Sequence, residues 1–222
     1  MNLLAIDTVS QTVSVTADGP RGRCTVSFAS KIQHAETLLS LMDTALEQAG
    51  FTAGETGLVL CAEGPGSFTG LRIAFAAAKG VQLASDCPLV PVPTLTCYAE
   101  QFRAWKGSLL SVLDAKKKRF YVQLFSNGAP AGEVRDCSAE EAVESLDPAL
   151  PLIITGPDAG LFAASLGTVL NTGQFTVIPC GTDGISRTMV EIALRERTDY
   201  TGNRDDYSAP IYVRKSDAET AR

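Results

Sequence analysis

The order in which hydrophobic periodicities follow one another is the strongest constraint on the fold. Leu3 to Asp7 is a short apolar run that ends in a carboxylate. Thr12 to Ala17 alternates, with Val13 and Val15 on one face, and Cys24 to Phe28 alternates again. Gly19, Pro20 and Gly22 mark the turn between these two strands. The period then changes. Ala35, Leu38, Met42, Ala45, Leu46 and Ala49 recur at helical spacing, and Gly50 ends the run. Leu58 to Ala62 reads as a buried strand, broken by Gly64-Pro65-Gly66. A second helix follows from about Thr69 to Ser85, then a strand over Pro88 to Val92. Pro93 suits the first turn of a third helix reaching about Ala104, with Thr94 near its cap.

This β-β-β-α-β-α-β-α order recurs in the second half. Leu109 to Leu113 is apolar and ends in Asp114. Arg119 to Phe125 alternates, Glu133 to Cys137 supplies a third strand, and Ser138 caps a short helix towards Leu146. Leu152 to Thr155 and Phe175 to Ile178 read as strands, each followed by a helix, near Ala159 to Leu166 and over Ser186 to Glu196. The segment Tyr207 to Lys215 reads as an extended tail that packs back. Asp7 and Asp114 stand about half the chain apart. The expectation is an α/β protein of two similarly folded lobes, residues 1–105 and 106–222, each a mixed sheet with helices.

Composition narrows the function. With 222 residues, 45% of them hydrophobic, the chain can build a continuous core, and its net charge of −6 makes it a poor stand-alone binder of nucleic acid. An RNA role needs a basic partner or a local patch. Lys116-Lys117-Lys118-Arg119 is such a patch, read either as a solvated turn or as a hairpin tip that touches RNA phosphate or nucleotide. The six cysteines form no C-x-x-C pair and sit in or beside apolar runs, as buried thiols of a reducing compartment do. The N-terminal run Met1 to Asp7 has no signal-peptide pattern, and no apolar stretch is long enough to span a membrane. A cytoplasmic protein with no membrane partner is expected.

Asp7 closes the first strand, where open α/β folds place ligands. With Thr8 and Asp114 it could hold a nucleotide through Mg²⁺, as in an actin-like ATPase or kinase or an RNase H-like nuclease. Equally, each aspartate could cap the tight turn after its strand. The segment from Glu63 to Ile73, E-G-P-G-S-F-T-G-L-R-I, follows a strand and opens a helix, the context in which amides bind anions. It lacks the P-loop lysine and the dinucleotide spacing, so a plain strand-to-helix turn capped by Ser67 or Thr69 stands beside the anion reading. His34 is the only histidine, and Leu38 stands four residues on, where a helical metal pair needs its second ligand. A two-histidine metallopeptidase centre and a histidine-based triad are both disfavoured. The turns after Asp7 and Asp114 contain no glycine to cradle phosphate.

The helix from Leu71 to Ala84 is apolar nearly all round, and the first helix carries Leu38, Leu39, Leu41, Met42, Ala45 and Leu46. A helix apolar on more than one face is buried on more than one face. Both helices either cover their own sheet or also dock a partner.

The segment Gly64, Pro65, Gly66, Ser67, Phe68, Thr69, Gly70, Leu71, Arg72, Ile73 resembles the signature of the TsaB (YeaZ) family. Leu4-Ala5-Ile6-Asp7-Thr8, His34 before Leu38-Leu39, Asp114-Ala115 with Phe120-Tyr121, and Pro210-Ile211-Tyr212-Val213-Arg214 resemble further family segments in the same order. Lys116 and Val213 depart from the family's usual Arg and Leu. The resemblance implies an actin-like (ASKHA) fold of two RNase H-like lobes. It also implies a subunit that is not an enzyme by itself, with no catalytic or metal residues of its own. Such a subunit binds and activates TsaD, with TsaE as third component, in transferring threonylcarbamoyl from threonylcarbamoyl-adenylate to the adenosine beside the anticodon of tRNA. ATP, ADP or Mg²⁺ would then belong to the complex, tRNA would be met only through it, and homodimers are allowed. The expected partner surface comprises His34, Leu38, Leu41, Met42, Ala45, Arg72, Phe75, Ala78 and Lys79.

Overall fold

The computed structural model of the chain describes residues 1–29, 34–144, 146, 150–166, 175–196 and 209–213. They form two compact units, one of 1–97 with 183–211, the other of 98–182 with 212–222.

The first unit is built on β1 (Leu3–Asp7), β2 (Thr12–Gly19), β3 (Gly22–Ala29), α1 (His34–Ala49), β4 (Leu58–Gly64), α2 (Phe68–Ser85) and β5 (Leu89–Pro93). Its sheet has the order β3-β2-β1-β4-β5. β1 pairs antiparallel with β2, placing Asp7 opposite Ser14, and parallel with β4, placing Ile6 opposite Cys61. All five residues of β1 are buried, so both faces of the sheet are covered there. Leu4, Ile6, Val13 and Val15 meet Leu38, Met42 and Ala45 of α1 and Ala74, Phe75 and Ala78 of α2 on one face. The alternate residues of β1 and β2 point the other way, to α6 (Ser186–Glu196), which packs on β1, β2 and β4.

The second unit begins within α3 (Thr94–Ala99) and contains β6 (Ser108–Asp114), β7 (Phe120–Ser126), β8 (Ala129–Pro130), β9 (Arg135–Cys137), α4 (Ala139–Val143), β10 (Leu152–Gly156), α5 (Ala159–Leu166) and β11 (Phe175–Pro179). Its sheet runs β11-β10-β6-β7-β8, with β9 also paired to β7. With β6 in the place of β1, this is the order of the first sheet. β6 and β7 are antiparallel, whereas β6 with β10 and β10 with β11 are parallel. Phe120 and Phe162 anchor its core edge to face, with ring centroids 5.0 Å apart.

Three expectations change. The third helix stops at Ala99, and a 3-10 turn over Glu100–Phe102 replaces its continuation towards Ala104. Pro93 closes β5, opposite Gly64, rather than opening that helix. The helix over 186–196 does not stay with the second half of the chain. It covers the polar face of β2, where Thr16 Oγ1 and Ser186 Oγ lie 2.8 Å apart.

Candidate functional site

The signature turn is a clamp on the β1–β2 connection. The Ser67 N–H donates to the Val9 carbonyl at 2.9 Å. Ser67 is the N-cap of α2, and its Oγ accepts from the Gly70 N–H at 3.2 Å. The Leu71 N–H donates to the Ser67 carbonyl at 2.8 Å. From the other side the Thr8 hydroxyl donates to the Gly70 carbonyl at 2.5 Å. The Ser67 and Gly70 amides are thus taken up within the chain, as the structural turn requires.

Glycine is required by close approach at two of these positions. A Cβ on Gly70 would run into the Thr8 carbonyl oxygen. Gly64 has φ +113° and lies so near the tail that a Cβ would stand 2.7 Å from the Ile211 carbonyl oxygen. The Ile211 N–H donates to the Glu63 carbonyl at 2.9 Å, so the tail meets the signature at Ile211, while residues 207–208 and 214–215 of the expected tail lie outside the described residues. Glu63 itself is half-buried, and burial holds its carboxyl above its ordinary range.

Asp7 is fully buried. Its Oδ1 accepts from the Val9 N–H at 3.0 Å, the turn-capping bond. Its Oδ2 accepts from the Ile185 N–H at 2.9 Å and the Ser14 hydroxyl at 3.3 Å. The carboxylate therefore ties the end of β1 to the start of α6, where helix polarity favours a negative charge. Asp114 repeats the turn: its Oδ1 accepts from the Lys116 N–H and its Oδ2 from Lys116 Nζ, both at 2.7 Å. Both aspartates take up the capping alternative, and Thr8, also buried, holds Gly70.

The expected partner surface divides. Leu38, Met42, Ala45, Phe75 and Ala78 belong to the core beneath α1 and α2 and present nothing to a partner. Arg72 is exposed, its guanidinium 4.0 Å from the centroid of Phe68, while Leu41 and Lys79 are half-buried. The side chain of His34 lies outside the described residues. The outward apolar atoms are elsewhere on the same helices: Leu83 is 85% exposed and Leu39 61%, and Ala76 and Gly80 of α2 are exposed as well. Composition flags α2 as apolar nearly all round and α1 as bearing a broad apolar face. Which residues face out follows from how each helix rolls on the sheet.

Burial pushes the Cys61 and Cys97 thiols well up, with Glu63 and Asp7 adding to it respectively, so neither is a ready nucleophile. Among the described residues no three His, Cys, Asp or Glu side chains gather as a metal site, and no helix is long and apolar enough to cross a membrane.

Two mixed sheets of the same strand order, each opening with a strand that ends in a capping aspartate, define a two-lobed actin-like (ASKHA) α/β protein. Residues 27–176 match the family model described as TsaD: tRNA N6-adenosine threonylcarbamoyltransferase. The tRNA threonylcarbamoyladenosine biosynthesis protein TsaB of Escherichia coli K12 is 27% identical over 97% of this chain and 96% of its own. TsaB of Bacillus subtilis 168 is 26% identical over 79% of each. The solved structure of YeaZ from Pseudomonas aeruginosa shares the fold with a TM-score of 0.75 at 21% identity, over 96% of this chain and 99% of that one. The chain belongs to this TsaD-type family, on its TsaB (YeaZ) branch.

Proposed function

We propose that this chain is a non-catalytic partner and activator of TsaD in the assembly that makes threonylcarbamoyladenosine on tRNA, with TsaE as third component. The observation that carries the reading is the state of Asp7. In a chain of an enzyme family, the carboxylate at the end of the first strand is fully buried and bonded to Val9, Ser14 and Ile185. It holds the fold together and leaves the chemistry to another subunit. By the same reading the chain is cytoplasmic, holds no nucleotide or Mg²⁺ by itself, and meets tRNA through the assembly.

The outward stripe of α2, with Ala76, Gly80 and Leu83, together with Leu39 of α1, is the docking face for TsaD. Small residues let a partner helix approach closely, and the two leucines supply apolar area that water would otherwise wet. Reconstitution of tRNA modification from purified components tests the function. TsaD and TsaE should be active only when this chain is added, and the chain alone should yield no modified tRNA. Product formed by the chain alone would end the proposal. Leu83→Asp with Leu39→Asp should abolish capture of TsaD while leaving the melting curve close to wild type. Undiminished capture would remove the helices as the docking face.

A further inference from the structure

We propose that the outer edge of β3 is a dimerisation strand, which pairs antiparallel with β3 of a second copy of this chain. The inference goes beyond the docking of TsaD and involves no other protein. β3 closes one end of the first sheet. Its hairpin with β2 turns through Pro20 and Arg21, flanked by the pair Gly19 and Gly22. Residues that flank a two-residue turn exchange both backbone hydrogen bonds, and bonded pairs then alternate along the ladder. Cys24, Val26 and Phe28 therefore direct their N–H and C=O groups towards β2. Arg23, Thr25, Ser27 and Ala29 direct theirs outward, and all four residues are exposed. Among the described residues no backbone bond meets β3 from that side.

An open edge invites another strand, and proteins blunt such edges with proline, bulges, shortness or charge. The other sheet edges here are blunted. β5 carries Pro91 and Pro93, β8 is two residues long and ends in Pro130, and β11 ends in Pro179. β3 instead has eight residues in unbroken register with β2 and no proline. Its one charged side chain, Arg23, is held by Asp18 at 2.7 Å. What selects a second copy is self-complementarity. A two-fold axis through Val26, perpendicular to the sheet, sets Val26 opposite Val26 of the second copy. Thr25 then meets Ser27, and Arg23 meets Ala29, as hydrogen-bonded pairs in both directions, so every outward N–H and C=O from Arg23 to Ala29 is used. Arg23 lies opposite an alanine, and no like charges face each other. On the α1 face Phe28, 47% exposed in the single chain, meets Cys24 of the second copy beside the Val26 pair. An axis through Thr25 would leave Ala29 without a partner in β3, and one through Ser27 would leave Arg23 without one.

Sedimentation velocity of the full chain from about 1 to about 200 µM should show a monomer–dimer equilibrium. Ser27→Pro removes an outward donor while sparing the bonds to β2, and should raise the dimer dissociation constant about ten-fold or more. Phe28→Cys tests the register. Cys24 and position 28 of the second copy form a pair without mutual hydrogen bonds, whose Cα atoms stand about 4.5 Å apart, within disulfide reach. Diamide should therefore link the Phe28→Cys chain into a covalent dimer through Cys24, as mapping of the unreduced peptides would show. Adding Cys24→Ser should abolish the link. A wild type that stays monomeric over the whole range would overturn the proposal. So would a Ser27→Pro chain that is folded by circular dichroism and dimerises like wild type, or a folded Phe28→Cys chain that does not link through Cys24. Capture of TsaD is followed in parallel. A monomeric wild type whose capture of TsaD is lost on Ser27→Pro would assign the edge to TsaD and likewise overturn the proposal.

Discussion

At the scale of single residues, the chain is most sensitive where backbone meets backbone. Gly70→Ala should be severe, because the added methyl has the Thr8 carbonyl in its way and neither partner is a flexible side-chain end. A loss of about 3 kcal/mol is expected, seen as a lower urea midpoint with an unchanged slope. Glu63 makes a prediction in pH. Burial raises its folded pKa above the ordinary value of 4.5. The folded state then keeps a proton that the unfolded chain has released, so stability falls as pH climbs from that ordinary value through the folded one. Glu63→Gln should raise the melting temperature at about pH 8 and leave it nearly unchanged at about pH 4. A pH-independent difference would reject burial as the cause. The glycines at 64, 66 and 70 are legible in the sequence as a tight turn. The atoms they make room for, on Thr8, Val9 and Ile211, are not, because those contacts come from other segments of the chain.

At the scale of elements, α1 and α2 show how composition can identify a helix and mislead about its faces. In the sequence α2 reads as apolar nearly all round and α1 as carrying a broad apolar face. In the structure Met42 and Phe75 turn into the core, with Leu38, Ala45 and Ala78 beside them, while Leu39 and Leu83 turn outward. Met42→Asp or Phe75→Asp should therefore cost about 3–5 kcal/mol and prevent folding before any partner is met. Leu83→Asp should stay within about 0.5 kcal/mol of wild type, since it trades exposed apolar surface for charge. Circular dichroism of the three variants distinguishes these outcomes. A folded, stable Phe75→Asp would contradict the packing described for α2. The capping segments are better served by local reading. Ser138 forms the capping box expected of a serine three residues before Glu141, bonding that residue's N–H and receiving its carboxylate.

At the scale of the whole molecule, the unit of folding is not the half-chain. α6 covers the face of β1 and β2 that carries Asp7, Ser14 and Thr16, and Ile185 and Ser186 complete their hydrogen bonds. A fragment of residues 1–105 should accordingly lack a cooperative melting transition, having lost both the apolar cover and the partners of buried polar groups. A separate peptide spanning 183–211 should restore it in part. Cooperative unfolding of the fragment alone would show α6 to be dispensable. By itself the sequence determined the succession of strands and helices, their repetition in two halves, and a signature turn capped by one of two residues, Ser67 or Thr69. Each of these is written in residues within a few positions of one another, where periodicity and turn chemistry act. Only the tertiary structure decided that Asp7 is locked inward, that α6 returns to the first sheet, and which helix residues are left for a partner. Those outcomes join groups such as Thr16 and Ser186, far apart in the chain, and burial between distant segments leaves no local pattern to read.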